Sequence, residues 1–291
     1  MPMYPSTAEM FVELSAKHRL GGLFGAIGRH TPLHGITYGF LREMDRRFPG
    51  VLKIAPDAPD SMAVADDKEF FRILGYAGAE SIDCSTSEGA EHIVDLNDTN
   101  LDEALVGRFD VIDNNGTLEH IFHVPNCLLN ITRMLKIGGH VIHGVPMNNW
   151  VDHGFYQISP TLLFDYYLDN QFIVKEGRIF RYIFGPSYST LDIRYITVDG
   201  SAFYCPSLHP DHILPGVFDG GMYGFLFVAQ KVAESTTDVV PMQTLYATAE
   251  KRKERLERIL KQMKVAEIKS SAFLEMAGDI LEKRAGPYQT D

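Results

Sequence analysis

Apolar and polar positions change period several times along this chain, and the changes mark its elements. Phe109–Asp113 is a short apolar run of the kind a buried strand shows. After a polar turn, Val124, Leu128, Ile131 and Leu135 recur at steps of four, three and four, which is helical spacing. Pro125 suits the first turn of that helix, and Gly138-Gly139 its stop. Val141–Val145 is a second apolar strand, closed by Pro146. Strand, helix and strand in that order form a βαβ unit. The polar residues between Asn114 and His120 then fall at the carboxyl end of its first strand, where ligands bind in parallel sheets.

The remaining pattern extends this unit on both sides. A helix is expected around Ala8–Lys17, followed by the glycines Gly21, Gly22, Gly25 and Gly28, with a short apolar strand running into the last of them. From Gly39 to Asp66 the pattern is weak, and Pro49, Pro56 and Pro59 predict loop. Asp66 can cap a helix that carries Glu69 three residues on and ends at Gly75. Two strands, Ser81–Cys84 and His92–Leu96, place Asp83 and Asp95 near their ends. Ser159-Pro160 opens another helix through Leu162, Leu163, Phe164 and Tyr167. Phe172–Phe184 and Tyr223–Val232 read as strands, separated by a loop-rich stretch with Gly200, Pro206, Pro210 and Pro215. Strands alternating with helices predict an α/β fold with a doubly wound, mostly parallel, Rossmann-like sheet of about seven strands.

This α/β domain is expected over residues 1–235, with a helical C-terminal extension over 236–291. Met242–Ala277 contains no Gly or Pro and carries charges at helical spacing. In Lys251–Arg258 every residue except Leu256 is charged, which reads as a solvated face. The sharper alternative is a homodimer formed through Leu256, Ile259, Leu260 and Met263.

Composition narrows the partners. A net charge of −11 over 291 residues lacks the basic footprint of nonspecific nucleic-acid binding. Cys84, Cys127 and Cys205 lie far apart and form no CxxC pair, so neither a zinc ribbon nor a disulfide framework is expected. The first twenty residues lack the basic start and apolar core of a signal peptide. No apolar run approaches the roughly 18 residues that span a membrane. The expectation is a cytoplasmic protein that acts on a small molecule, without membrane or nucleic-acid partners.

Four fragments carry a family resemblance. Phe109-Asp110 is followed by Leu118-Glu119-His120, with Glu119 nine residues after Asp110. Leu135-Lys136-Ile137-Gly138-Gly139 introduces the next strand, and His153-Gly-Phe-Tyr-x-x-Ser-Pro160 opens the next helix. In this order and spacing they resemble the second half of class I S-adenosylmethionine-dependent methyltransferases. The resemblance implies S-adenosylmethionine as cofactor. It places Asp83 on the ribose hydroxyls, Asp95 on the adenine amine and Leu96 over the ring. It also sets Asn114 and Asn115 where they could meet the methionine moiety. Turn capping remains the alternative for Asp83 and Asp95, and an Asx turn for the asparagines. The family's acid and G-x-G-x-G loop after the first strand are missing. Leu23–Arg29 is the best substitute, with Gly25 and Gly28 as the cofactor-binding glycines. An insertion must then fill much of the 55 residues from Gly28 to Asp83.

Glu119, His120 and His153 are the catalytic candidates, because an acceptor hydroxyl must lose a proton during methyl transfer. His143 could face either the cleft or the helix layer, and Asn148, Asn149, Trp150 and Asp152 could wall the acceptor. Phe155, Tyr156, Tyr166 and Tyr167 read mainly as packing. Some relatives hold a metal with Glu-x-x-Glu-His. Gly116 stands at the first position of that pattern, so no metal is assigned. The functional expectation is methyl transfer to oxygen on a small-molecule or glycan-precursor acceptor. The alternative is a catalytically inactive domain of the same fold that serves as a binding module. A nicotinamide-dependent enzyme would need G-x-G-x-x-G, which is absent.

Overall fold

The computed structural model describes residues 2–184, 191–196 and 221–262. Its elements in chain order are α1 (Pro5–His18), β1 (Leu23–Ile27), α2 (Tyr38–Arg47), α3 (Asp67–Ile73), β2 (Gly78–Asp83) and β3 (His92–Ile93). They continue with β4 (Phe109–Asn115), α4 (Val124–Met134), β5 (Leu135–Asn148), α5 (Pro160–Asp169), β6 (Ile173–Phe184), β7 (Leu191–Ile196), β8 (Met222–Gln230) and α6 (Ala249–Gln262).

The eight strands form one sheet in the order β3-β2-β1-β4-β5-β8-β6-β7. The pairs β2/β3, β1/β2, β1/β4 and β4/β5 are parallel. β8 runs antiparallel to both β5 and β6, so β6 points the same way as the first five strands. β7 adds an antiparallel edge. The doubly wound, mostly parallel sheet is therefore present, with one strand beyond the seven expected.

Alternation along the buried strands sends side chains into two separate cores. Phe24, Val111, Ile142, Leu226 and Val228 meet Phe11 of α1, Leu41 of α2 and Phe70 and Phe71 of α3 on one face. On the other face Ile27, Ile112, Val141, Phe225 and Phe227 pack with Leu128 and Ile131 of α4 and with Phe164 and Tyr167 of α5. Gly25 lies within β1, where a Cβ would stand 2.8 Å from the Phe109 ring. The absence of a side chain there lets Phe109 pack across the strand.

Two elements depart from the sequence reading. The stretch expected to be loop contains α2. Thr37 caps it by accepting a hydrogen bond from the Phe40 amide at 3.2 Å, and Tyr38, Leu41 and Met44 bury one side. β3 stops after two residues because Asp95 turns the chain, accepting bonds from both the backbone and side-chain nitrogens of Asn97 at 2.9 Å. α3 does start where Asp66 was expected to cap it, with Asp66 Oδ1 accepting from the Glu69 amide at 2.8 Å.

At the C-terminal end α6 docks on the domain. Ile259 is buried in the α4/α5 core. Arg255, read from its charged surroundings as solvated, is only 3% exposed and bonds Asp165 and Asp169 of α5. The loop residues Gly200, Pro206, Pro210 and Pro215, along with Cys205, Met263 and the rest of the segment to Ala277, lie outside the described residues.

Candidate functional site

The carboxyl ends of β1, β2, β4 and β5 converge on one edge of the sheet, and short polar links hold them together. Gly28 closes β1 in the left-handed conformation, at φ 79°. Its amide donates to the Ile82 carbonyl of β2 at 2.8 Å. The Thr117 hydroxyl, after β4, donates to the Ile27 carbonyl at 2.9 Å. A positive φ is cheap only for glycine, which explains this residue at this turn. The next two side chains are drawn away from the strand end. Arg29 pairs with Asp67 at the start of α3, whose carboxylate also takes the His30 amide at 3.1 Å. His30 turns into the sheet face and meets Asp113 of β4 at 2.7 Å, with both groups buried.

Asp113 sits in β4 with its neighbours alternating sides. Burial raises its carboxyl pKa despite the His30 contact. Among the described residues His30 Nδ1 and Asp113 Oδ1 have no hydrogen-bond partners. Asn114 faces the other side, and its Nδ2 donates to His143 Nδ1 at 2.8 Å. That leaves the His143 proton on Nε2, 2.7 Å from the Tyr167 hydroxyl of α5. Burial pushes the His143 pKa down to about 3, so this ring stays neutral. His143 thus belongs to the helix layer, and Asn114 supports it from below. Neither lines the cleft.

Asn115 does reach the cleft. Gly144 stands opposite it on β5, and a Cβ there would come within 2.5 Å of Asn115 Oδ1. A cavity of about 400 Å³ opens beside this pair. Its floor holds Asn115, Glu119 and His120, and its far wall holds Trp150, Phe180 and Tyr182. The N-terminal segment closes the near side with Tyr4, Thr7 and Met10. Trp150 is fixed by its indole N–H, which donates to the Tyr223 carbonyl at 2.9 Å.

Glu119, His120 and His153 come together at this cavity, each offering one ligand atom within 4.8 Å of the others. Glu119 and His120 lie on a 3₁₀ turn after β4 (Leu118–His120), and His153 arrives on the β5–α5 loop. The loop is stitched down by the Glu119 carbonyl, which accepts from the Phe155 amide at 2.7 Å and the Tyr156 amide at 3.2 Å. Gly154 permits this approach, since its φ is 69° and a Cβ would sit 2.8 Å from that carbonyl. His153 Nε2 then stands 3.6 Å from Glu119 Oε1, too far for a hydrogen bond. Among the described residues Glu119 Oε2 has no hydrogen-bond partner, although Glu119 is 1% exposed. Burial raises the Glu119 pKa to about 7. Burial, with a smaller contribution from His153, lowers that of His120.

On the cofactor side the expected residues separate. Asp83 ends β2 beside Gly28, half-buried, with Oδ1 accepting from the Ser85 amide at 3.0 Å. A left-handed glycine beside a carboxylate fits a ribose lying across two adjacent strand ends. Asp95 is exposed and committed to Asn97, whose bonds lower its pKa. Leu96 is buried in the α4/α5 core. The expected insertion between Gly28 and Asp83 consists of α2, a proline-containing connection and α3.

Several contributors were not foreseen. His30 has no sequence signal beyond standing two residues after Gly28. Gly144 and Gly154 could have been flagged only by knowing what crosses them. Trp150 lines the cavity as the acceptor-wall reading expected. Phe155 and Tyr156 are exposed, whereas Tyr166 and Tyr167 are core.

The sheet order, with its single reversed strand between β5 and β6, is the class I methyltransferase type of α/β fold. No protein-family model and no curated protein matches the chain. Among solved structures it is similar to 1,6-didemethyltoxoflavin-N1-methyltransferase from Burkholderia thailandensis, crystallised with S-adenosylhomocysteine. That match has 13% identity and a TM-score of 0.39, over 78% of this chain and 79% of the other. TehB from Haemophilus influenzae matches at 13% identity and a TM-score of 0.39, over 76% and 61% of the two chains. A methyltransferase from Thermotoga maritima matches at 14% identity and a TM-score of 0.32, over 77% and 92%. The fold assignment rests on the strand order itself. Among the described residues no helix is long and apolar enough to cross a membrane.

Proposed function

We propose that this chain is an S-adenosylmethionine-dependent methyltransferase acting on an oxygen of a small-molecule acceptor. The observation that carries the reading is the Glu119–His120–His153 cluster, which faces a cavity beside the strand ends where a cofactor would lie. A partnerless buried carboxylate is costly unless something arrives to use it.

When bound, S-adenosylmethionine supplies an activated methyl group, and the protein's part is alignment and proton management. Gly28 would let the backbone approach the cofactor, and Asp83 would accept from the ribose hydroxyls. Asn115, at the joint between the two regions, can donate to the methionine carboxylate. The aromatic wall of Trp150, Phe180 and Tyr182 holds the acceptor by an apolar face. The cluster of Glu119, His120 and His153 would take up the proton that an acceptor hydroxyl must lose. A carboxyl with pKa near 7 and an exposed imidazole whose pKa is lowered by partial desolvation and by His153 both suit that task at neutral pH.

Calorimetry with S-adenosylhomocysteine is the direct test. Saturable binding that weakens in Asp83→Asn supports the reading, and absence of binding at millimolar ligand would sink it. Methyl transfer to any acceptor would also rule out the inactive binding-module alternative, which no specific observation favours.

A further inference from the structure

The geometry points to a divalent metal site at Glu119, His120 and His153, filled by a first-row transition ion of the Zn²⁺ type. Two imidazoles and one carboxylate are the donor set of many catalytic zinc sites, which keep a further position open. Bonds of about 2.0–2.1 Å at tetrahedral angles set neighbouring donors about 3.4 Å apart. The observed His153 Nε2 to Glu119 Oε1 distance of 3.6 Å is close to that, and it is too long for the two groups to satisfy each other directly. All three donor atoms lie within 4.8 Å of one another, so small side-chain rotations complete the set.

A second observation, independent of the spacing, is the Glu119 carboxylate. It is 1% exposed, and among the described residues its Oε2 has no partner and neither Lys nor Arg lines the cavity. A buried carboxylate with two histidines beside it and no Lys or Arg among the described residues of the cavity is a ligand set lacking its charge. The scaffold also holds the donors in place. The Glu119 carbonyl bonds the Phe155 and Tyr156 amides, fixing the loop that carries His153, and Trp150 packs 4.8 Å from the His153 ring. Gly116, at φ 80°, makes the turn, so this set draws its third donor from the β5–α5 loop.

The open position faces the 400 Å³ cavity. In the loaded site an acceptor hydroxyl bound there would be acidified by the ion and release its proton to solvent, so the free bases of the cluster would not be needed. This role in catalysis rests on the methyltransferase reading. Metal binding itself does not.

The test uses the full chain freed of metal by a chelator and titrated with Co²⁺, whose visible absorption reports coordination. One equivalent should bind with a tetrahedral or five-coordinate spectrum and be displaced by Zn²⁺. His153→Ala, at a half-exposed position that leaves the fold intact, should weaken binding more than about tenfold, a loss seen even for groups that merely support a ligand. Glu119→Gln should do the same, and His123→Ala, on the exposed approach to α4, should leave binding unchanged. No Co²⁺ spectrum at millimolar ion, or binding indifferent to His153→Ala and Glu119→Gln, would overturn the site. Calorimetry with S-adenosylhomocysteine on the same samples separates the two readings. Metal binding without cofactor binding retains the site and removes the methyltransferase reading. Cofactor binding without metal binding does the reverse.

Discussion

His153 Nε2 stands 3.6 Å from Glu119 Oε1, and the loop that carries His153 is tied to the Glu119 carbonyl by the Phe155 amide at 2.7 Å. One residue thus anchors the loop through its backbone and faces it through its side chain. This gives Glu119 a burial that its sequence neighbours alone would not impose, and it makes the carboxyl group the most informative probe of the site.

With its pKa raised from the usual carboxylate range to about 7, Glu119 binds a proton more tightly in the folded than in the unfolded metal-free chain. Its contribution to stability is therefore full below about pH 4.5 and is lost as pH rises through 7. A shift of that size corresponds to about 3 kcal/mol. Glu119→Gln is expected to raise stability toward urea at pH 8 by up to that amount, with no gain near pH 4.5. The same variant should lower kcat by about 100-fold with KM little changed. Denaturation at the two pH values and steady-state kinetics check both outcomes.

The two glycines expected to bind cofactor should behave oppositely. Gly25→Ala pushes a methyl group against the Phe109 ring and should cost about 1–3 kcal/mol of stability, with cofactor affinity retained in the folded protein. Gly28→Ala forces a side chain into the left-handed region, at about 1–2 kcal/mol, and should weaken S-adenosylhomocysteine binding. Asp83→Asn should weaken it by about tenfold or more, the loss of a hydrogen bond to a charged group. Thermal melts paired with calorimetry separate the three.

His30 and Asp113 form a buried pair whose outer atoms have no partners. His30→Ala removes the last contact of the Asp113 carboxyl and should destabilise the fold by about 3–5 kcal/mol. The double variant His30→Leu with Asp113→Leu should recover much of that loss. Equilibrium unfolding of the two proteins decides it, and a His30→Ala effect below about 1 kcal/mol would contradict the assigned pairing.

Arg255 reaches Asp169 through Nη2 at 2.7 Å and Asp165 through Nη1 at 3.0 Å. Arg255→Ala leaves Asp165 buried without its cation and Asp169 with Lys251 alone, at 2.9 Å, and should cost about 3 kcal/mol or more. Truncation after residue 248 should destabilise the remaining chain similarly, whereas a detached helical extension would leave it unchanged. Urea unfolding of both proteins is the measurement.

The β4–α4–β5 unit was legible because each of its signals is local. The strand runs, the helical steps of Val124 to Leu135 and the Gly138-Gly139 stop lie within a few residues of their cause. Asp66 capping α3 was legible for the same reason. α2 was not, because only Tyr38, Leu41 and Met44 mark its buried side, amid charges and near three prolines. β3 was overread because Asp95 spends its carboxylate on Asn97 and so ends the strand. Arg255 is the same residue type as the half-buried Arg252 and Arg258, and only the position of α5 buries it fully.

By itself the sequence determined the alternation of strands and helices, and with it a sheet whose polar turns share one edge. That information is carried by periodicity and by residues that end elements, both of which act over a few bonds. Tertiary structure decided which polar residues at that edge face one another. It turned Asn114 and His143 into the helix layer and brought His153 across to Glu119. It also left Glu119 Oε2 buried and without a partner. Those outcomes depend on strand register and on how two distant loops pack, because burial and charge proximity are properties of three-dimensional neighbours.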